Sequence, residues 1–143
     1  MFTLHARLAG DSTHIGDLPL CVLLMINDMN YPWFVLVPKR EEIREIYQLN
    51  VQDRAQLLAE SCALSEVMEE VFQPTKMNVA ALGNMVPQLH LHHVARFEED
   101  AAWPAPVWGA VPSKTYDDET RDKVIHALKQ GFEHADLRLL TGK

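Results

Sequence analysis

The sequence has 143 residues, with 20 acidic side chains against 13 Lys and Arg and a formal charge of −7 at pH 7. That length suits one domain, 1–143, with a core that needs no staples, and a composition 48% hydrophobic and 23% charged excludes a disordered chain. The acidic balance excludes a non-specific binder of long nucleic acid, which needs a basic face to displace counterions, but leaves room for a small phosphorylated ligand held by local donors.

Leu20–Ile26 is the longest purely apolar run, far short of the about 20 residues that cross a bilayer. It reads as a strand buried on both faces. Cys21 and Cys62 have neither CxxC nor metal-type spacing and are expected as reduced, partly buried thiols. Met1–His5 carries no basic-then-apolar leader, so a soluble cytoplasmic protein is expected. The turn formers Asn27–Pro32 lead to a second strand, Trp33–Val37, stopped by Pro38; the short link predicts an antiparallel hairpin.

Glu41–Tyr47 is predicted as a short helix and Val51–Phe72 as a long one, with Asn50 as N-cap and Asp53 in its first turn. Leu57, Leu64, Met68 and Val71 make an apolar stripe; Glu60, Glu66, Glu69 and Glu70 lie mostly off it and are expected to face solvent. Met77–Leu82 and Val86–Phe97 read as a third and a fourth strand. Residues 98–116, rich in Pro and Trp, are predicted as an extended arm anchored by Trp103 and Trp108. Asp117–Ala135 is predicted as a closing helix, with Val124, Ala127, Leu128 and Phe132 inward. The order of strands and helices makes an α+β domain.

The fourth strand carries the chemistry. Alternation puts Leu89, Leu91, His93, Ala95 and Phe97 on one face and Gln88, His90, His92, Val94 and Arg96 on the other. Gln88, His90 and His92 then form a row spaced roughly 6.5–7 Å apart, matched to one extended polar ligand. A neutral imidazole, with a pKa of about 6.5, is a good nucleophile toward phosphorus near neutrality. It is better still when its second nitrogen is held by an acceptor. A neighbouring imidazole or amide can donate to phosphate oxygens or to the leaving group. Such a site calls for no metal or other cofactor. Same-face histidines can also hold zinc, but a third ligand is lacking: His93 points to the other face and the cysteines are remote. The plainest alternative is a pair of surface imidazoles. His5, His14, His126 and His134 have no partners in sequence, and no catalytic role is expected of them.

The segment Asn78–Arg96, ending Gln88-Leu89-His90-Leu91-His92-His93-Val94-Ala95-Arg96, resembles the histidine-triad (HIT) signature, His-x-His-x-His followed by apolar residues. Trp33-Phe34-Val35-Leu36-Val37-Pro38-Lys39 is similar to the strand ending in Pro-Lys that precedes the family's first helix. The resemblance covers residues 15–97 and implies an antiparallel sheet of about five strands with one long helix and one or two others, in the family's α+β arrangement. It also implies a homodimer that binds nucleotides. Such enzymes hydrolyse dinucleoside polyphosphates, diadenosine polyphosphate among them, or nucleoside phosphoramidates, through a nucleotidyl-histidine intermediate. Carried over, His90 is the nucleophile and His92 assists at the phosphate and leaving group. Asn78, Gly83 and Asn84 fall near phosphate-contacting positions, and Asn27 or Asp28 near the ribose-binding acidic residue. Arg96 faces the phosphate or else flanks the strand in solvent.

Three positions depart from the family pattern. Gln88 stands where the first histidine usually is and can hydrogen-bond but not carry a proton. The galactose-1-phosphate uridylyltransferase branch also places a Gln in its triad, at the third position. Trp33 replaces a further histidine, and Asn84 a common Gln. A nucleotide-binding module with little turnover is therefore the second reading. With the chain at −7, Lys39, Arg40, Lys76 or Arg96 is expected to offset the field around a polyanion.

Overall fold

Cys21–Ile26 is apolar along its whole length because it becomes an interior strand covered on both sides. The structure, a computed structural model, describes residues 1–135; the last eight positions of the 1–143 domain lie outside the described residues. The elements in chain order are α1 (Ala6–Gly10), β1 (Ser12–Asp17), β2 (Cys21–Ile26), β3 (Trp33–Pro38), α2 (Val51–Phe72), β4 (Lys76–Ala80), β5 (Leu91–Arg96) and α3 (Asp118–His134). The strands form a five-stranded antiparallel sheet in the order β1-β2-β3-β5-β4.

Period-two alternation divides the core. Cys21, Leu23, Met25, Phe34, Leu36, Leu91 and Ala95 pack with Leu57, Leu64 and Met68 of α2 and Leu128 and Phe132 of α3. Val22, Leu24, Trp33, Val35, Val37 and Val94 face the other way, beneath Leu8 of α1 and Val107 of the arm. Asn50 caps α2 by accepting from the Asp53 N–H at 2.8 Å. Helix α3 approaches α2 closely at Gly131, where a Cβ would stand 2.6 Å from Val71 Cγ2 and 2.8 Å from Val67 Cγ1. Gly131→Ala is expected to cost about 1–3 kcal/mol through overpacking, seen as a lower urea midpoint.

Several expectations are corrected. Glu41–Tyr47 is not a helix: Glu42 has φ 55° and only a 3₁₀ turn, Ile46–Gln48, forms. Ile43 alone packs on the core, too little to offset the cost of nucleation, and the Gln48 side chain accepts from the Arg44 and Glu45 N–H groups instead. The fourth strand begins at Leu91 instead of Val86, and the third ends at Ala80. Pro87 lacks the N–H a ladder requires, leaving 81–90 as an irregular loop. Glu60 is buried, not solvated. Its carboxylate accepts from the Leu20 and Cys21 N–H groups at 2.8 and 3.0 Å and from Gln56 Nε2 at 2.7 Å, pairing amides at the entry to β2. Burial, with Glu60 beside it, pushes the Cys21 thiol far above its ordinary range. Cys62, expected to be partly buried, is exposed. Helix α1 and strand β1 are additions: five residues show no period, and Ser12–Asp17 is a mostly polar edge strand with a bulge at His14/Gly16.

Candidate functional site

His92 lies within β5, paired with Val35 of β3, and His90 is the last residue of the loop before it. Their rings meet edge to face with centroids 4.8 Å apart. His90 is 6% exposed, yet it forms part of the wall of a cavity of about 250 Å³ that also touches His92, Gly83, Asn84, Trp33 and Trp108. His90 Nδ1 is 2.7 Å from the Gln88 carbonyl oxygen, which can only accept, so Nδ1 carries the proton. In the neutral ring the lone pair is then on Nε2. Gly83 lies directly against this ring: a Cβ there would overlap it, standing 3.1 Å from Nε2 and 3.2 Å from Nδ1. Only a residue without a side chain allows the loop to come so near.

His92 is held at both nitrogens. Trp33 Nε1–H donates to Nδ1 at 3.0 Å, and Nε2–H donates to the Leu82 carbonyl at 2.6 Å. On the opposite face, His93 Nδ1 donates to the Leu91 carbonyl at 3.0 Å and Nε2 accepts from Ser61 Oγ at 2.7 Å. Both imidazoles are pushed down from 6.5 to about 4. Burial is the main cause, opposed by the Leu82 or Leu91 carbonyl; His90 adds to the lowering at His92, and His92 to that at His93. Unfolded, these rings take up protons near 6.5, and folded only near 4, so the unfolded chain binds more protons between those values. Their contribution to stability is complete above that window and is lost as pH falls through it. Urea midpoints at pH 7 and pH 5 are expected to show a clear drop at the lower pH; equal midpoints would contradict the buried neutral pair.

The predicted site residues separate into three groups. His90, His92, Gly83 and Asn84 share the histidine cavity. Asn27 and Asp28 lie on a wider cavity of about 570 Å³, which has Asp11, Ile26, Trp33 and Trp108 as walls in common with the first, making one cleft. Asn27 Oδ1 accepts from Thr13 Oγ1 at 2.8 Å. Asp28 Oδ1 accepts from Asn30 and from the Lys114 N–H, tying the end of the arm to the β2–β3 loop.

Gln88, Asn78 and Arg96 are engaged elsewhere, which corrects the expectation of a polar row. Gln88 accepts from the His5 N–H at 2.8 Å and donates to the Thr3 carbonyl at 2.9 Å, gripping the segment before α1 as a neighbouring strand would. Its side chain meets His90 at no hydrogen bond, though both residues border a recess of about 80 Å³; only its backbone carbonyl reaches the His90 ring. Arg96 is 2% exposed, paired through two nitrogens with Asp100 at 2.7 and 3.0 Å and bonded to Asn78 Oδ1 and the Ala105 carbonyl, each at 2.8 Å. Its guanidinium lies near the rings of Tyr31 and Trp103, 5.8 and 5.7 Å from their centroids. Arg96 and Asn78 thus fasten the arm to the sheet. Lys39 reaches Asp17 and the Leu18 carbonyl, Arg40 reaches Asp53, and Lys76 the Met77 carbonyl; the cleft is lined by none of them.

The cation on the histidine cavity is Arg7, with Asp11 beside it at 3.9 Å. Sequence reading missed both because the helix that presents them has five residues, too few for a period to show. Trp108 of the arm is a wall of both cavities and meets His92 edge to face at 5.1 Å. Among the described residues no three His, Cys, Asp or Glu side chains gather as a metal site, and no helix is long and apolar enough to cross a membrane.

The HIT domain model matches residues 7–99. A histidine triad protein from Marinobacter aquaeolei VT8 is 51% identical, with a TM-score of 0.90 over 94% of this chain and 98% of that one. One from Bradyrhizobium japonicum is 45% identical, with a TM-score of 0.89 over 91% and 97%. A third, from Sinorhizobium meliloti 1021, is 37% identical, with a TM-score of 0.89 over 92% and 97%. Comparison with curated proteins gave no match. The family match over most of the chain and the agreement along nearly the full length of three solved relatives lead to one conclusion: this chain belongs to the histidine triad (HIT) family.

Proposed function

We propose that the cleft binds a nucleoside polyphosphate, or a related nucleoside phosphoramidate, and hydrolyses it at the α-phosphorus through a nucleotidyl-His90 intermediate. The observation that carries this reading is the His90 ring, with Nδ1–H tied to the Gln88 carbonyl and Nε2 without a hydrogen-bond partner among the described residues, on a cavity wall against Gly83. The Nε2 lone pair attacks phosphorus, a P–N bond forms, and the bond to the leaving group breaks with its electron pair, a phosphate departing as its anion and an amine taking a proton from solvent as it leaves. Water then attacks phosphorus and gives up a proton to solvent, the P–N bond returns its pair to Nε2, and the nucleoside monophosphate departs. Gly83 and Asn84 border the phosphate, Arg7 supplies positive charge, and Trp33 and Trp108 offer aromatic surface to the nucleoside in the wider cavity, with Asn27 and Asp28 at its ribose. No metal or other cofactor is needed for these steps.

The reading includes a cytoplasmic homodimer. Strand β4 is a sheet edge, and Val79, Leu82 and Met85 expose apolar surface on and just after it. Sedimentation at micromolar concentration is expected to give twice the chain mass.

Intact-mass analysis of enzyme quenched within milliseconds of mixing with a dinucleoside polyphosphate is expected to show one added nucleotidyl group. Turnover with no adduct at any quench time rejects the mechanism. Arg7→Gln is expected to weaken nucleotide binding about 3–10-fold, as for loss of one half-exposed charged hydrogen bond; calorimetry at fixed ionic strength measures it. A second reading, a binding module with little turnover, is favoured by one observation: Gln88 and both His92 nitrogens are already engaged within the protein, so neither is free to protonate a leaving group. It predicts saturable binding and no product after prolonged incubation.

A further inference from the structure

We propose that Trp33 is a positioning residue: its indole N–H locks His92 as the neutral Nε2–H tautomer, making His92 a strut for the Leu82–Gly83 loop in place of a proton donor. The two partners of His92 have hydrogen-bonding roles that cannot change. An indole nitrogen only donates and a peptide carbonyl only accepts. Trp33 Nε1–H at 3.0 Å therefore requires a lone pair on Nδ1, and the Leu82 carbonyl at 2.6 Å requires a proton on Nε2. Protonating Nδ1 would turn two N–H groups toward each other inside a wall where Trp33 and His92 are both buried. A histidine at position 33 could switch between donor and acceptor; a tryptophan cannot, so this lock works in one direction only.

The lock reaches the reacting centre through the backbone. Fixing the Leu82 carbonyl fixes Gly83, and Gly83 lies against the His90 ring. Trp33, His92, Leu82 and Gly83 thus form a continuous support behind His90. Trp33 and Trp108 also pack on the His92 ring, at 5.7 and 5.1 Å between centroids, preventing its rotation. The charged or titratable groups bordering the cavity around His92 are His90 from the preceding loop and Arg7 and Asp11 from the α1 region; Val35 and Ala80, its neighbours across the sheet, carry no charge. The burial that depresses His92 acts in the same direction as the lock. Support for His90 in catalysis rests on the hydrolase reading above, whereas the tautomer does not.

The test is a pH series from 5 to 8 of two-bond proton–nitrogen spectra on imidazole-labelled protein. Wild type is expected to show His92 as Nε2–H without titration in that range. In Trp33→Phe, which keeps an aromatic ring and removes the donor, His92 is expected to titrate with a midpoint raised by about one unit or more. A wild-type His92 that titrates near 6.5, or carries its proton on Nδ1, overturns the proposal, as does a folded Trp33→Phe protein with unchanged spectra. If Trp33→Phe does not fold, the wild-type titration decides alone. With a dinucleoside polyphosphate, the kcat profile of Trp33→Phe is expected to gain an ionisation absent from wild type, with KM changing less. A wild-type protein that shows the locked tautomer but forms no product rejects the hydrolase reading and leaves the lock standing.

Discussion

His90→Ala is expected to lower hydrolysis of a dinucleoside polyphosphate by about 10³-fold or more, the scale seen when a covalent nucleophile is removed. Nucleotide affinity should change far less, because Arg7, Asn27 and the two tryptophans lie elsewhere on the cleft. Single-turnover kinetics and calorimetry on one preparation separate the two effects. Loss of binding in step with loss of rate would make His90 a ligand contact only, and unchanged turnover would remove it from the chemistry. The expectation is sharp because Nε2 has no hydrogen-bond partner within the described structure, while Nδ1 is spoken for by Gln88. Alanine also vacates the volume against Gly83, so the unfolding midpoint should be recorded alongside the rates.

The second large effect concerns stability. Asp100→Asn is expected to destabilise the fold by about 3–5 kcal/mol, because it leaves the Arg96 guanidinium buried without its counter-charge. The Asp100 side chain is 4% exposed and also accepts from the Phe97, Ala102 and Trp103 N–H groups at 3.0, 3.0 and 2.7 Å. Burial alone would raise this carboxyl, but the Arg96 bonds and these three amides outweigh it and hold it well below the usual range. A depressed carboxylate contributes its stability above the unfolded value of 3.8, and that contribution is lost as pH falls below it. Urea titration at pH 7 should show the wild-type and variant midpoints far apart, and the gap should narrow toward pH 3. A variant within about 1 kcal/mol of wild type would place the pair in the weak class of surface bridges and remove it as the anchor of the arm.

Those two residues illustrate what could be read from the sequence. The His90 and His92 pair was legible because alternation, an apolar opposite face and the Pro-Lys strand agreed across levels. Helix α2 was legible to its ends because Asn50, Asp53 and Pro74 mark them, and the α+β class followed from the order of elements. Long-range pairing of polar groups was not. Nothing near Gln88 shows that its partners are Thr3 and His5, 85 and 83 positions away. Arg96 looks like a phosphate contact until Asp100 and Asn78 are seen to enclose it. Glu60 looks solvated on a helical wheel, yet the open amides of Leu20 and Cys21 draw it inward. Charge in a row is ambiguous because one residue type serves a ligand or a buried amide equally well, and only the fold decides between them.

The grip of Gln88 on Thr3 and His5 has a consequence for how the molecule can diversify. The cation of the cleft and the ring of His90 are held by separate contacts. Residues 3–11 bring Arg7 to the pocket, while the His90 ring is oriented by the Gln88 backbone carbonyl. Altering the side-chain amide at 88 would loosen that jaw and leave the backbone carbonyl on His90 Nδ1, so the wall that carries Arg7 can change while the His90 ring keeps its place.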